Sequence, residues 1–236
     1  KENVIETIEK TKALQPDRIS FYSYAHVPWV KGVGQRGFNE ENLPKDDEKR
    51  ELYEVGKKMF AEFGYEEIGM DHFALKSDSL YKATQEKTVH RNFMGYTANK
   101  TLLMVGLGMS AISDSWYAFA QNVKTVKEYQ KLVNDGEIPI FRGHLLSEED
   151  LIVRKHILNM MCHFNTSWDK KDLKVIELEK HFLLLEEMVA DGLVILGKNY
   201  LKIPEKARPY VRNICMAFDV RLQKSKPETQ LFSMTI

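Results

Sequence analysis

The chain has 236 residues, of which 43% are hydrophobic and 29% charged, and this is the composition of a soluble globular polypeptide with one large domain or two small ones. Lys+Arg and Asp+Glu each total 34, so no global positive field attracts nucleic acid or an anionic membrane surface. The longest apolar stretches are too short to cross a bilayer, and the first residues lack the basic-then-apolar order of a signal peptide. We therefore expect a cytoplasmic protein without nucleic-acid or membrane partners.

The first predicted elements are a helix and a strand. Residues 2–14 show an amphipathic helical pattern, and residues 19–27 alternate with a period of two and are rich in β-branched and aromatic types. A helix followed by a buried strand is the unit of a parallel α/β sheet, in which ligands bind at the carboxyl ends of the strands. The small residues Ser23 and Ala25 near the end of this strand would leave room for a bound molecule.

Glycines and a proline divide the next segment. Gly32, Gly34 and Gly37 mark a loop that also contains Arg36. A helix follows from Pro44 to Gly64, because proline suits a first helical position and apolar residues recur on one face.

Four further elements are predicted before residue 143. They are a strand running into a loop over 65–75, a short helix over 79–86, a buried strand over 102–113, and its hairpin partner over 116–121. The buried strand contains Gly106 and Gly108. A glycine inside a strand usually marks a close approach of backbone or of a ligand.

Helices dominate after about residue 143. Ser147 and Asp150 resemble a capping box that opens a helix through Cys162. The remaining predicted elements are a helix over 172–190, a hairpin over 193–203 and a last helix over 204–223. The order of a helix, a hairpin and a helix is a winged-helix-like layout. We therefore expect two domains, residues 1–143 and residues 144–236. The second domain is expected to be helical, with a small β-hairpin.

A winged-helix-like domain leaves open a different class of function, a non-catalytic module that binds a partner or DNA. Lys206, Arg208 and Arg212 bring positive charge to the last helix, but Glu205 and Asp219 oppose it. We therefore expect no nucleic-acid partner, and an interaction module remains an alternative.

The chain contains only two cysteines, Cys162 and Cys215, each inside an apolar helical pattern. Two cysteines cannot hold a four-ligand zinc ion or a three-thiolate cluster without other residues. We expect both to be buried core residues, and we expect no metal site in this chain.

Two segments mix ionisable, aromatic and glycine residues. A carboxylate at Asp71 could set the tautomer of His72 and raise its basicity, which suits proton transfer or anion binding. The alternative is that His72 bonds to the backbone at the end of a strand. His90 and Arg91 form a cationic pair suited to carboxylates, with Phe93 near by for a flat ligand, unless they lie in a plain surface turn.

These segments, taken in order, resemble one enzyme family. The similarity runs from Asp17 to Leu222 and is carried mainly by Ile68-Gly-Met-Asp-His-Phe-Ala74, His90-Arg-Asn-Phe93 with Gly95-Tyr-Thr97, and Gly106-Leu-Gly-Met-Ser-Ala-Ile-Ser113. The chain resembles the oxygen-independent coproporphyrinogen III oxidases. A related haem-chaperone branch is the alternative within the enzyme class, but it normally lacks Gly69-Met-Asp-His72.

The resemblance implies a radical S-adenosylmethionine enzyme of haem biosynthesis. Such an enzyme uses a 4Fe-4S cluster on three cysteines and two S-adenosylmethionine molecules. It oxidatively decarboxylates two propionates of coproporphyrinogen III to vinyl groups, giving protoporphyrinogen IX. The implied fold is α/β plus α: residues 1–143 resemble the C-terminal part of a partial (β/α) radical SAM barrel with an added sheet, and residues 144–236 resemble a helical C-terminal domain.

Roles for single residues also follow from the resemblance. Ala25 matches a last-strand position that contacts S-adenosylmethionine, and Phe93 and Ile112 match positions beside the second cofactor molecule. Met94 departs from the glutamine that is common there.

The candidates for catalytic residues are Asp71, His72 and Arg91, which would hold substrate carboxylates or handle protons. Arginine suits bidentate capture of a carboxylate, whereas histidine suits acid or base work near neutral pH.

The sequence lacks the Cys-x3-Cys-x2-Cys motif and the earlier barrel strands of this family. Without the thiolates there is no cluster, and without the cluster there is no radical. We therefore expect the chain to be the C-terminal portion of a longer enzyme, to be inactive alone, and to need the N-terminal half of the same protein.

Overall fold

A computed structural model describes residues 1–28, 35, 37 and 40–225. Gly32, Gly34 and Arg36 of the predicted glycine-rich loop lie outside the described residues. No helix in the described part of the chain is long and apolar enough to span a lipid bilayer.

The helices, in chain order, are α1 (Glu2–Leu14), α2 (Asp46–Glu62), α3 (Ser79–Gln85), α4 (Val126–Asn134), α5 (Glu148–His163), α6 (Lys170–Val175), α7 (Leu178–Leu183), α8 (Glu186–Ala190), α9 (Val211–Met216) and α10 (Val220–Ser225). The strands are β1 (Arg18–Ser20), β2 (Tyr65–Gly69), β3 (His72–Leu75), β4 (His90–Asn92), β5 (Gly95–Thr97), β6 (Ile112–Asp114), β7 (Ala118–Asn122), β8 (Ile140–Leu145), β9 (Asn165–Ser167), β10 (Ile195–Leu196) and β11 (Tyr200–Lys202).

The strands form small antiparallel sheets, in the orders β1-β3-β2, β4-β5, β6-β7-β8 and β10-β11-β9. Every ladder between the named strands of the described residues is antiparallel, and none of these sheets closes into a barrel. Strand β1 pairs in antiparallel fashion with β3, so the described residues contain no parallel pairing of the predicted helix–strand unit.

Strand β1 is much shorter than the predicted strand over residues 19–27. Its ladder with β3 ends where Ser20 lies opposite His72, the first residue of β3, and Phe21 N then donates to Asp71 O at 2.8 Å. No named strand of the described part of the chain pairs with residues 21–28, and Ala25 is exposed. Alternation predicts a strand only where a neighbour exists to pair with it.

Helices α1 and α2 confirm the first two helical predictions and pack over the β1-β3-β2 sheet. Ile8, Phe60 and Phe73 are buried in one core cluster between the helices and the sheet. Gly64 follows α2 with φ of 88°, a conformation that glycine adopts without steric cost.

The segment 65–75 is a hairpin and not a strand running into a loop. Met70 and Asp71 form the turn between β2 and β3, and Asp71 has φ of 61°, in the left-handed region that aspartate tolerates better than most residues. The predicted helix that follows is confirmed as α3.

The predicted strand over 102–113 is mostly irregular. Regular pairing begins only at β6, apart from an isolated bridge between Met104 and Asp114. A Cβ added at Gly106 would lie 2.7 Å from Ile112 O, so the predicted close approach is confirmed and involves backbone. The predicted hairpin partner is confirmed as β7.

The C-terminal helices are more broken than predicted. The capping box at Ser147 and helix α5 are confirmed. The helix over 172–190 is instead α6, α7 and α8, because Glu177 takes a left-handed φ of 46° that interrupts the ladder. The last helix begins as a 3-10 helix, Glu205–Tyr210, since Pro209 has no N–H to donate.

Tyr96 joins the β2–β3 hairpin to helix α5. Its hydroxyl donates to Met161 O at 2.9 Å and accepts from Met70 N at 3.3 Å. A Cβ added at Gly69 would lie 2.4 Å from Cζ of Tyr96, so only glycine lets the ring lie against this strand. The ring and its two hydrogen bonds fix the position of the turn relative to the helix.

Gly69→Ala is expected to destabilise the chain by about 1–3 kcal/mol, because the added methyl overlaps the Tyr96 ring and displaces it from its hydrogen bonds. Urea unfolding of the variant and the wild type measures this difference. Gly37→Ala is the matched control, since nothing lies within 4 Å of a Cβ added there. A Gly69→Ala variant as stable as the control would contradict this packing.

Candidate active site

The candidate site surrounds the turn between β2 and β3. Asp71 lies in this turn, His72 begins β3, and Arg91 is the central residue of β4. The Tyr96 ring contacts the last two, with its centroid 5.0 Å from the centroid of the His72 ring and 5.5 Å from the Arg91 guanidinium carbon. The structure thus brings the three predicted catalytic residues together.

The tautomer of His72 is set by the backbone and not by Asp71. Nδ1 of His72 lies 2.7 Å from Met70 O, which can only accept, so Nδ1 carries the proton. Burial lowers the pKa of His72, the Met70 hydrogen bond opposes this, and the positive charge of Arg91 adds to it. The prediction that the adjacent carboxylate orients His72 is wrong, and the alternative of a backbone hydrogen bond is confirmed.

The second nitrogen of His72 has a phenol partner. Nε2 lies 3.2 Å from the Tyr22 hydroxyl, which donates to the neutral ring, and the two rings meet edge to face. Tyr22 is 60% exposed, so this pair faces the open side of the site. A neutral imidazole with one fixed proton can accept a hydrogen bond or a proton at Nε2 alone.

Asp71 is a partly buried carboxyl group with an altered titration. Burial and the negative charge of Glu67 raise its pKa to about 6, while the positive charges of Arg212, Arg91 and Lys49 oppose that rise. Asp71 therefore changes its protonation state close to neutral pH.

Arg91 has unused hydrogen-bonding capacity. Its guanidinium lies over the Tyr96 ring, and its Nε is buried with no hydrogen-bond partner in the described part of the chain. A buried N–H without a partner is costly, so a ligand oxygen placed there would gain a strong, charge-assisted hydrogen bond.

His90 does not join Arg91 in a cationic pair. Successive residues of a strand point to opposite faces, and His90 is buried near Trp116, with ring centroids 6.4 Å apart. Burial, followed by the positive charges of Lys100 and Arg154, lowers the pKa of His90. The predicted compact cationic pair is wrong, and Arg91 alone faces the Tyr96 ring.

The predicted cofactor residues lie in two places. Ala25 is exposed, and its carbonyl accepts from Gln35 Nε2 at 3.0 Å while Gln35 Oε1 accepts from Val27 N at 2.7 Å. Phe93 lies in the β4–β5 turn and is 53% exposed, and its ring meets Phe119 edge to face at 5.2 Å.

Ile112 begins β6 opposite Gln121 of β7 and is half-buried. Because Asp114 and Phe119 are also directly paired, Ile112 and Phe119 share one face of this ladder. Phe93 contacts Phe119 on the sheet face that also carries Ile112, and we call Phe93 and Ile112 together the wall. The β4–β5 turn also approaches the candidate catalytic residues, since a Cβ added at Gly95 would lie 3.3 Å from His72 Nε2.

An open aromatic wall fits an adenine-bearing cofactor such as S-adenosylmethionine, because the exposed Phe93 ring offers a flat apolar face. A 4Fe-4S cluster does not fit this chain. Burial raises the pKa of both Cys162 and Cys215 to about 12, so both are buried thiols and not thiolates. The described residues contain no group of three or more His, Cys, Asp or Glu that could hold a metal ion.

Three residues make contacts at the site that the sequence did not indicate. Tyr22 is 50 positions from His72, Gln35 reaches back to Ala25, and Tyr96, expected only as an aromatic face for a flat ligand, instead links the β2–β3 turn to helix α5. Spacing along the chain carries no signal for contacts of this kind. Only the pairing of β1 with β3 brings Tyr22 beside His72.

Comparison with known proteins gives consistent results. A curated oxygen-independent coproporphyrinogen III oxidase from Pseudomonas aeruginosa is 37% identical over 218 residues, covering 90% of this chain and 47% of that protein. One from Synechocystis is 36% identical and covers 98% of this chain and 51% of that protein. No protein-family model matches the sequence.

A solved structure described as coproporphyrinogen III oxidase (HemN) from Escherichia coli, a radical SAM enzyme, superposes with a TM-score of 0.84 at 33% identity. The match covers 94% of this chain and 52% of the solved one. The chain thus spans about half the length of the relatives it matches.

The fold of the chain is thus similar to about half of a solved radical SAM enzyme. More particularly, over nearly its whole length the chain is similar to the C-terminal half of oxygen-independent coproporphyrinogen III oxidases.

Asp71→Asn is expected to change how stability depends on pH. The folded-state pKa of about 6 lies above the ordinary value of 3.8, so the stabilising contribution of Asp71 is complete below about pH 4 and is lost as the pH rises through 6. Relative to wild type, Asp71→Asn should therefore gain about 1–2 kcal/mol between pH 4 and pH 7, a value reduced for partial solvent exposure.

Urea unfolding of both proteins at several pH values measures this gain. Asparagine also tolerates the left-handed backbone of the turn, so the substitution isolates the charge. A stability difference that stays constant with pH would contradict the raised pKa.

Proposed function

We propose that this chain is the C-terminal half of an enzyme that oxidatively decarboxylates two propionates of coproporphyrinogen III to vinyl groups, giving protoporphyrinogen IX. The observation that carries the proposal is the match of about 98% of this chain to a relative named oxygen-independent coproporphyrinogen III oxidase. The reported relatives all carry the oxidase name, which favours decarboxylation over the alternative of haem delivery.

Arg91 is the proposed anchor of a substrate propionate. The reacting group must be ionised to lose carbon dioxide, and a guanidinium with a free N–H holds a carboxylate in that form. When bound, S-adenosylmethionine at its cluster supplies the radical that removes a hydrogen atom from the propionate. Asp71, placed near Arg91 and titrating near neutral pH, would adjust the charge of this pocket.

His72 and Tyr22 are the proposed polar groups of the open side. The neutral imidazole donates its Nδ1 proton to Met70 O and accepts a hydrogen bond at Nε2 from the Tyr22 hydroxyl. This pair can accept hydrogen bonds from the porphyrinogen or hold a proton near its carboxylates without adding a fixed charge.

Ala25, Phe93 and Ile112 are the proposed contacts with two S-adenosylmethionine molecules. The small exposed side chain of Ala25 and the open Phe93 ring support this assignment. The cluster would be held by cysteines of an N-terminal half of the same protein, which would complete a partial barrel and work in the cytoplasm.

An apolar surface supports the proposal of a missing half. Large hydrophobic side chains are exposed around the β6-β7-β8 sheet and the segment before it, among them Leu102, Leu103, Val105, Leu107, Phe141 and Leu145. A patch of this kind usually marks an interface.

We also propose a division into residues 1–143 and residues 144–236, the second winged-helix-like. In its support, the largest core cluster draws on residues after 143 with Met70 packed against it. The sheet order β10-β11-β9, with β9 between helices α5 and α6, supports the proposed winged-helix-like layout.

Arg91→Lys in the full-length enzyme is expected to raise the KM for coproporphyrinogen III about 10- to 100-fold, because lysine cannot form two parallel hydrogen bonds to a carboxylate. Anaerobic turnover assays measure the change. Arg50→Lys is the control, since Arg50 pairs with Glu54 on the surface of α2. If both variants kept the wild-type KM, Arg91 would not bind the substrate.

The chain by itself is expected to bind no stoichiometric iron and to show no turnover, because both of its cysteines are buried thiols. Iron analysis after anaerobic cluster reconstitution, followed by an assay with S-adenosylmethionine and coproporphyrinogen III, tests this. About four iron atoms per chain, or vinyl formation without the N-terminal half, would overturn the proposal.

A further inference from the structure

Arg154 of helix α5 ends in a buried arrangement away from the candidate catalytic turn. Its Nη2 and Nη1 lie 2.6 and 3.1 Å from the two carboxylate oxygens of Asp114, and Nη1 also donates to Trp116 O at 3.0 Å. The side chains of Arg154 and Asp114 are only 13% and 10% exposed. A buried bidentate pair of this kind fixes both partners in one orientation.

The same ion pair holds an unusual turn between β6 and β7. Trp116 has φ of 67°, which is unfavourable for a bulky residue, and its N–H donates to Asp114 Oδ1 at 2.9 Å. The Arg154 guanidinium lies over the Trp116 ring at 4.3 Å. Arg154 therefore stabilises the strained conformation of this turn through two contacts with Trp116, one to its carbonyl oxygen and one to its ring.

The guanidinium also contacts Phe119, at 5.1 Å from its centroid, and Phe119 in turn contacts Phe93 at 5.2 Å. Phe119 lies opposite Asp114 in the β6–β7 ladder, on the face that it shares with Ile112. A continuous series of contacts thus runs from helix α5, through Arg154 and Phe119, to the wall formed by Phe93 and Ile112.

We propose that Arg154 is a positioning residue for the cofactor: it orients Phe119 and, through it, the Phe93 ring that contacts S-adenosylmethionine. This inference rests on the proposed function, because it takes Phe93 as a cofactor contact. If so, helix α5 influences the position of the Phe93 ring through Arg154 and Phe119.

Arg154→Lys in the full-length enzyme tests the inference. Lysine keeps the charge opposite Asp114 but loses the planar, two-pronged contact and the stacking. Equilibrium dialysis with labelled S-adenosylmethionine should show a Kd raised about tenfold, with the melting temperature lowered by only a few degrees. A purely structural role would instead lower the fraction of folded protein and leave the Kd of the folded molecules unchanged.

Phe119→Leu is a second test that remains usable if Arg154→Lys folds poorly. It removes the ring that contacts Phe93 and leaves the ion pair of Arg154 with Asp114 unchanged. It should raise the Kd by a similar factor, and the double variant should be no weaker than either single one. Arg208→Lys is the matched control: Arg208 also stacks on a ring, Phe164 at 4.4 Å, and pairs with Glu205 at 2.8 Å, but it lies beside β9.

The outcomes separate the two proposals. A wild-type enzyme that binds no S-adenosylmethionine would overturn the proposed function and this inference with it. A wild-type enzyme that binds the cofactor, with an unchanged Kd in both Arg154→Lys and Phe119→Leu, would overturn the inference alone. An equal rise in Arg208→Lys would also overturn it.

Discussion

The hydrogen bond from the Tyr96 hydroxyl to Met161 O is the interaction on which the candidate site depends. It holds helix α5 against the β2–β3 turn, while the same oxygen accepts from Met70 N. Met70 O in turn accepts a hydrogen bond from His72 Nδ1, so the orientation of the imidazole is coupled to the position of the helix. The Tyr96 ring also contacts both the His72 ring and the Arg91 guanidinium, so one side chain packs against a neutral base and a cation.

Local signals were sufficient for some elements of the fold and insufficient for others. Helices α1 and α2 were predicted from their amphipathic patterns and helix α5 from its capping box, and these signals act within a few residues. Strand β1 was overestimated because alternation alone does not supply a pairing partner. The break at Glu177 depends on how α6 and α7 pack into the same core, which periodicity alone does not reveal.

The candidate site could be predicted in part. Asp71, His72 and Arg91 were found because ionisable residues stood beside glycines and aromatic residues in short segments, and the structure groups them. The role of Tyr22 could not be found, since it reaches His72 only through the pairing of β1 with β3. His90 was misassigned because the alternation of β4 sends it to the opposite face from Arg91.

Hydrogen–deuterium exchange of the full-length enzyme, with and without S-adenosylmethionine and coproporphyrinogen III, tests whether the β2–β3 turn and the β4–β5 hairpin form the ligand site. The ligands are expected to protect peptides covering residues 68–75 and 90–97, which contain Asp71, His72, Arg91 and Phe93. No protection is expected in the hairpin of β10 and β11. Ligand protection confined to residues outside the first two segments would contradict the assignment of this site.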